Sequence, residues 1–199
     1  MLGWDSQASF HGGRPVQVKH WTFTVDDYLR MYEAGILTED DRVELIDGEI
    51  IAMSPIGDAH SGCVIRLTML FTRLVGLAAL VSVQNPIRLD NYSEPQPDLA
   101  LLKPRADYYA QAKPTPADVL LIVEVADSSV QFDRNVKVPL YARAAIPLVW
   151  LIDLNAGAVE AYSQPASSAY QQVQVMRRGD HLTIDSLPGL IIRVDDILG

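Results

Sequence analysis

The sequence predicts an α/β fold, a single domain over residues 22–199 with a β-rich extension after residue 155. Three observations carry this. Val119–Ala126 (VLLIVEVA) is apolar on both faces apart from one acid, as in a central strand covered on both sides. Leu148–Asp153 (LVWLID) repeats that character after a stretch with helical spacing, and strand, helix, strand is the order of an α/β domain. Beyond Asn155-Ala156-Gly157 the chain alternates short strand patterns with turns at Arg178-Gly179-Asp180 and Pro188-Gly189.

Residues 1–21 are polar, glycine-containing and aperiodic, which predicts a flexible arm. Thr24 is a suitable N-cap, followed by Asp26 and Asp27 in a first turn, so a helix should run from there to about Gly35. Arg42–Ile46 and Glu49–Met53 flank Asp47-Gly48, the pair that favours a type I′ hairpin turn. Ser54-Pro55 breaks that pattern. From Asp58 to about Leu77, Val64, Leu67, Leu70, Phe71, Leu74 and Val75 follow helical spacing. Short strands are expected at Leu80–Val83 and Pro86–Leu89, then an irregular lead-in to a strand starting with Asp98. Residues 103–117, with several Pro and Lys, should connect over the surface. A helix over about Phe132–Ala144 ends before Pro147.

Composition narrows the classes. The chain has 199 residues, 49% hydrophobic and 21% charged, enough to bury a core. Its single cysteine, Cys63, excludes an internal disulfide and a cysteine-rich zinc cluster, and points to a reducing, cytoplasmic compartment. No secretory h-region opens the sequence, and Arg66 and Arg73 interrupt the apolar stretch that could otherwise suggest a membrane span. A net charge of −9 weighs against broad nonspecific nucleic-acid binding, though a cation in an acidic site can screen it locally. His11, His20 and His181 are scattered, and there is no glycine-rich phosphate loop and no Gly-x-Ser-x-Gly elbow.

What remains is a set of charges inside apolar runs: Asp98 heading Leu99-Ala-Leu-Leu, Glu124 within Leu120–Ala126, Glu44 in the hairpin, and Lys137 on the following helix. A carboxylate in a buried strand costs several kcal/mol unless its charge is offset. Two such acids in one sheet invite a shared divalent cation, and Mg²⁺ takes oxygen ligands while keeping several waters. Blander roles stand beside each one. Glu44 could face solvent or pair with Arg42, Asp98 could cap a turn, Glu124 could belong to a buried ion pair, and Lys137 could pair with Asp133 four residues back on the helix surface.

The ordered motifs Arg42-Val-Glu44-Leu-Ile-Asp-Gly-Glu-Ile, Pro95-Gln-Pro97-Asp98-Leu-Ala, Ile122-Val-Glu124-Val, Asp133 through Lys137 to Tyr141-Ala-Arg143, and Ile146–Asp153 resemble the PD-(D/E)xK nuclease superfamily and, more narrowly, the Uma2 endonuclease family. The resemblance spans roughly residues 22–165. It implies a restriction-endonuclease-like mixed β-sheet flanked by helices and Mg²⁺-dependent cleavage of DNA, with Mn²⁺ as substitute. Asp98 and Glu124 would be metal ligands, Glu44 a further acid of the site, and Lys137 the catalytic lysine. The superfamily's lysine stands two residues after the second acid, where this chain has Ala126; Lys137 replaces it from the helix. The same resemblance points to His60 as a contact to phosphate or a partner of Glu44; the alternative is a residue at the start of the helix with no chemical role. Tyr141, one turn beyond Lys137, either contacts the site or is a core aromatic.

The expected activity is therefore a metal-dependent endonuclease, with a homodimer as expected partner arrangement. The alternative keeps the fold without the chemistry, as a nucleic-acid- or protein-binding homodimer.

Overall fold

The computed structural model describes residues 20–199, so the expected N-terminal arm lies, except for its last two residues, outside the described part. Thr24 caps α1 (Val25–Glu33) through a reciprocal capping box with Asp27, and the helix stops at Ala34 before Gly35 at φ +69°. Strands β1 (Val43–Ile46) and β2 (Glu49–Ala52) form the predicted hairpin. Its Asp47 and Gly48 both take positive φ, as a type I′ turn requires, and a Cβ on Gly48 would lie 2.6 Å from Thr22 Cβ. Helix α2 (Asp58–Val75) ends at Gly76.

The main sheet has six strands in the order β3-β4-β5-β6-β7-β8: β3 (Leu80–Val83), β4 (Leu99–Leu102), β5 (Val119–Ala126), β6 (Leu148–Asp153), β7 (Ala158–Pro165) and β8 (Tyr170–Arg177). Only β5 and β6 run parallel; the other pairs are antiparallel, so the sheet is mixed. On β5, Leu121, Val123 and Val125 pack with Leu67 and Phe71 of α2, while Ile122 and Ala126 pack with Leu140 and Tyr141 on the opposite face. Both faces are thus covered, which explains the unbroken apolar run, and each fully buried Leu or Ile stabilises the fold by about 1.5–3 kcal/mol.

Three elements depart from the sequence reading. Pro86–Leu89 is not a strand: Ile87 and Leu89 donate to the Pro95 and Ser93 carbonyls, but Pro95 and Pro97 lack the N–H groups a ladder needs. The crossover helix is broken into α3 (Val130–Phe132), a π turn (Asp133–Lys137) and α4 (Val138–Arg143). Pro139 accounts for the break, since it has no N–H for the Asn135 carbonyl and its ring would strike it. The C-terminal extension holds β9 (His181–Thr183) and β10 (Ile191–Arg193), then ends in a helix, α5 (Val194–Leu198), that packs on α2. Among the described residues no helix is long and apolar enough to cross a membrane.

Candidate active site

Strand register brings the first two acids together. Leu99 pairs with Val123, so one step outward Asp98 falls opposite Glu124, on the sheet face that α4 covers. Asp98 sits just ahead of β4, where its Oδ2 accepts the Val125 N–H at 2.9 Å. Its Oδ1 lies 3.0 Å from His60 Nε2, and the Gln84 amide donates to it at 3.3 Å. The hairpin brings in the third acid. Leu45 pairs with Glu94 across the β1 edge, and the Gln96 N–H donates to Glu44 Oε2 at 3.1 Å.

Lys137 reaches this cluster from the π turn. Its Nζ is 3.2 Å from Glu44 Oε2 and 3.3 Å from Glu124 Oε1, and all three side chains are almost fully buried. The pairing with Asp133 considered from the sequence is not the one formed. Asp133, itself buried, accepts instead from Ser129 Oγ at 2.5 Å. Tyr141 stands behind the cluster, fully buried, and its hydroxyl donates to Glu124 Oε1 at 2.6 Å. It is a core aromatic that also touches the site.

The electrostatics follow from having one ammonium among several acids. Burial pushes the Glu124 carboxyl up to about 8; Lys137 works against this, while Asp133, Asp98 and Glu44 add to it. Burial alone would lower the Lys137 pKa, but the field of Glu124, Glu44, Asp133 and Asp98 outweighs it and holds the proton on. Burial also raises Asp133 and Tyr141, and the hydrogen bond to Asp98 raises the His60 imidazole. His60 Nδ1 is buried without a partner among the described residues.

Glu44, His60, Asp98, Glu124 and Lys137 line one open cavity of about 520 Å³. Arg42, Gln96 and Asp133 line it too, and none of them was selected from the sequence as a site residue. The available sign for Asp133 was Pro139, which marks a helix irregularity beside it. A second buried acid, Glu94, was also missed. It is paired with Arg88 at 3.2 Å and with Lys113, and it anchors the lead-in to Asp98.

The donor set suits a hard divalent cation in type and charge: several carboxylates against one ammonium. It is not a ready three-acid shell. Among the described residues no three His, Cys, Asp or Glu side chains stand together as metal ligands, because the group Glu44 and Glu124 share is the Lys137 ammonium. Two carboxylates with water completing the shell is an arrangement Mg²⁺ accepts.

A solved "putative nuclease belonging to DUF820" from Anabaena variabilis ATCC 29413 superposes with a TM-score of 0.70 at 18% identity, covering 88% of this chain and 97% of that one. At that identity the likeness concerns the fold. No curated protein matched. The model of the family described as "Uma2: Putative restriction endonuclease" matches residues 25–195, a span that holds all the acids, the lysine and the six-stranded sheet described above. The chain belongs to the Uma2 family.

Proposed function

We propose that the protein is a metal-dependent endonuclease that hydrolyses phosphodiester bonds in DNA. The observation that carries this reading is the buried Lys137 ammonium between Glu44 and Glu124, with Asp98 in register beside them on the floor of an open pocket. Such a buried group of charges is poor value for stability alone, since apolar residues of similar volume often serve as well or better. Its location in a cleft, with perturbed proton affinities, favours chemistry.

Asp98 and Glu124 would hold Mg²⁺, or Mn²⁺ in its place, with Glu44 as the further acid. Bound there, the ion supplies Lewis acidity toward the phosphate and a more acidic attacking water. The chain's own groups do the rest. His60, Gln84 and the Val125 N–H fix the Asp98 carboxylate, while Tyr141 fixes Glu124 and the Gln96 N–H fixes Glu44. Lys137 keeps its proton, so it orients the attacking water or offsets the negative charge that grows on the phosphate.

The test is incubation of plasmid and single-stranded DNA with purified protein, with Mn²⁺ or EDTA, beside the Glu124→Ala variant. Nicking that needs Mn²⁺ and disappears in the variant supports the reading; nicking equal in both exposes a contaminant. A homodimer is proposed as well. β8 is an edge strand whose only charge is Arg177, an edge open to pairing with a second copy, and light scattering reports it. The proposed compartment is the cytoplasm, in keeping with one buried, unpaired cysteine.

A further inference from the structure

We propose that a second cavity beside the acidic pocket is a subsite for one unpaired base of a single-stranded nucleic acid, with Arg42 gripping the phosphate at the junction. This rests on the nuclease reading and adds to it the form of the substrate. The second cavity, about 760 Å³, shares Arg42, Met53, Ile56 and Gln96 with the first, so the two adjoin at those side chains. That volume suits a compact ligand. A paired duplex has no free base to insert, because every base is stacked and bonded to its partner. The acids of the first cavity are also deep: Glu44 is 3% exposed and Glu124 2%. A phosphate must enter to meet them, which a pliable single strand does more easily than a duplex with a persistence length of about 50 nm.

Charge separates the two halves of the groove. Glu39 and Asp41 are exposed on the wall of the second cavity, and Glu94 there is neutralised by Arg88 and Lys113. The side formed by Glu39 and Asp41 disfavours a phosphate, yet a carboxylate accepts hydrogen bonds from the exocyclic amine of a base. The uncharged base therefore belongs here, and the phosphate at Arg42. Among the described residues the Arg42 guanidinium has no carboxylate within ion-pair distance; it donates at 3.3 Å to the Ser54 carbonyl. A planar fork of donors exposed at the seam matches a phosphate. Tyr32 supplies the stacking face. It lines the cavity and meets Tyr28 edge to face at 5.2 Å, and Tyr28 is itself tied to the Val43 carbonyl at 3.0 Å. Its ring is thus oriented before a base arrives.

The experiment uses the Glu124→Gln protein with Ca²⁺, so that nothing is cut, and a short fluorescein-labelled oligodeoxynucleotide of mixed sequence, alone or as its duplex. Fluorescence anisotropy should give at least about ten-fold tighter binding of the single strand. Adding Tyr32→Leu should weaken that binding about ten-fold, the loss of one stacked base, while Tyr32→Phe retains it. Adding Arg42→Gln should weaken it and reduce the slope of log K against log salt by about 0.7, the release of one phosphate contact. Arg73→Gln, an exposed cation on α2 outside both cavities, should change neither. Equal affinity for strand and duplex overturns the proposal, as does a Tyr32→Leu protein of unchanged melting temperature that binds like its parent. Strand-selective binding by a protein that cuts nothing with Mn²⁺ would support the subsite while ending the nuclease reading. Mn²⁺-dependent cutting, lost in Glu124→Gln but equal on both DNA forms and indifferent to Tyr32→Leu, would do the opposite.

Discussion

The Tyr141 hydroxyl donates at 2.6 Å to Glu124 Oε1, the same oxygen that the Lys137 ammonium approaches at 3.3 Å. One carboxylate oxygen thus carries two of the contacts that hold the site together. Tyr141→Phe removes the neutral one without opening a cavity. The expected result is a loss of about 1–3 kcal/mol in stability, because a buried acceptor is left short of a donor. Glu124 should then hold its proton to higher pH, and Mn²⁺ affinity at neutral pH should fall several-fold. Denaturant titration and calorimetry read both; no change in either removes Tyr141 from the site.

Glu124 also sets a pH dependence in the metal-free protein. Its ordinary value is 4.5, and burial raises it to about 8 in the folded state. Below about 4.5 the group is protonated in folded and unfolded chains alike and contributes nothing. Between about 4.5 and 8 the folded protein keeps a proton that the unfolded chain releases, so stability falls as pH rises. Above about 8 the deficit is constant. Melting curves in EDTA should therefore show wild type losing stability relative to Glu124→Gln across that window, and Mn²⁺ should recover it. Parallel curves for the two proteins would contradict the assignment.

Removing the ammonium should be costly in a recoverable way. Lys137→Met leaves Glu44 and Glu124 buried without their shared counter-charge, an expected loss of about 3–5 kcal/mol in EDTA. Mn²⁺ should restore part of that melting temperature, since a cation replaces a cation. Turnover should stay depressed by about 100-fold or more, the usual scale for a lost transition-state donor. A variant that cleaves normally once metal is added takes Lys137 out of the mechanism.

The π turn is open to a test of its own. Pro139→Ala restores the missing N–H, so the segment from Val130 to Arg143 should relax toward a regular α-helix. Lys137 then turns about the helix axis and its reach to Glu44 and Glu124 is disturbed. The expected outcome is an unchanged or higher melting temperature with cleavage reduced about ten-fold. Undiminished cleavage would make the irregularity incidental.

Legibility followed the range of the interactions involved. The α1 cap, the Asp47-Gly48 turn and the double-sided apolar run of β5 are local: a few neighbouring residues dictate each, and each was readable. Pro86–Leu89 forms no strand although its partners lie only four to eight residues on, because Pro95 and Pro97 leave that segment without the donors a ladder needs. The α5 helix, with two buried residues, Val194 and Ile197, to mark it, is stabilised by α2 rather than by its own periodicity.

The same division runs through the site. By itself the sequence determined that Glu124 lies within a buried strand run and that Asp98 heads another, because an acid beside aliphatic residues is conspicuous wherever the chain goes. It also determined the order of motifs that marks the family. Tertiary structure alone decided that Asp98 stands across from Glu124, that Lys137 serves Glu44 and Glu124 instead of its helical neighbour Asp133, and that Arg42 is left exposed at the seam of two cavities. Those outcomes depend on strand register, on a helix turn distorted by Pro139 and on the docking of a hairpin, and each is set by contacts between residues far apart in the chain.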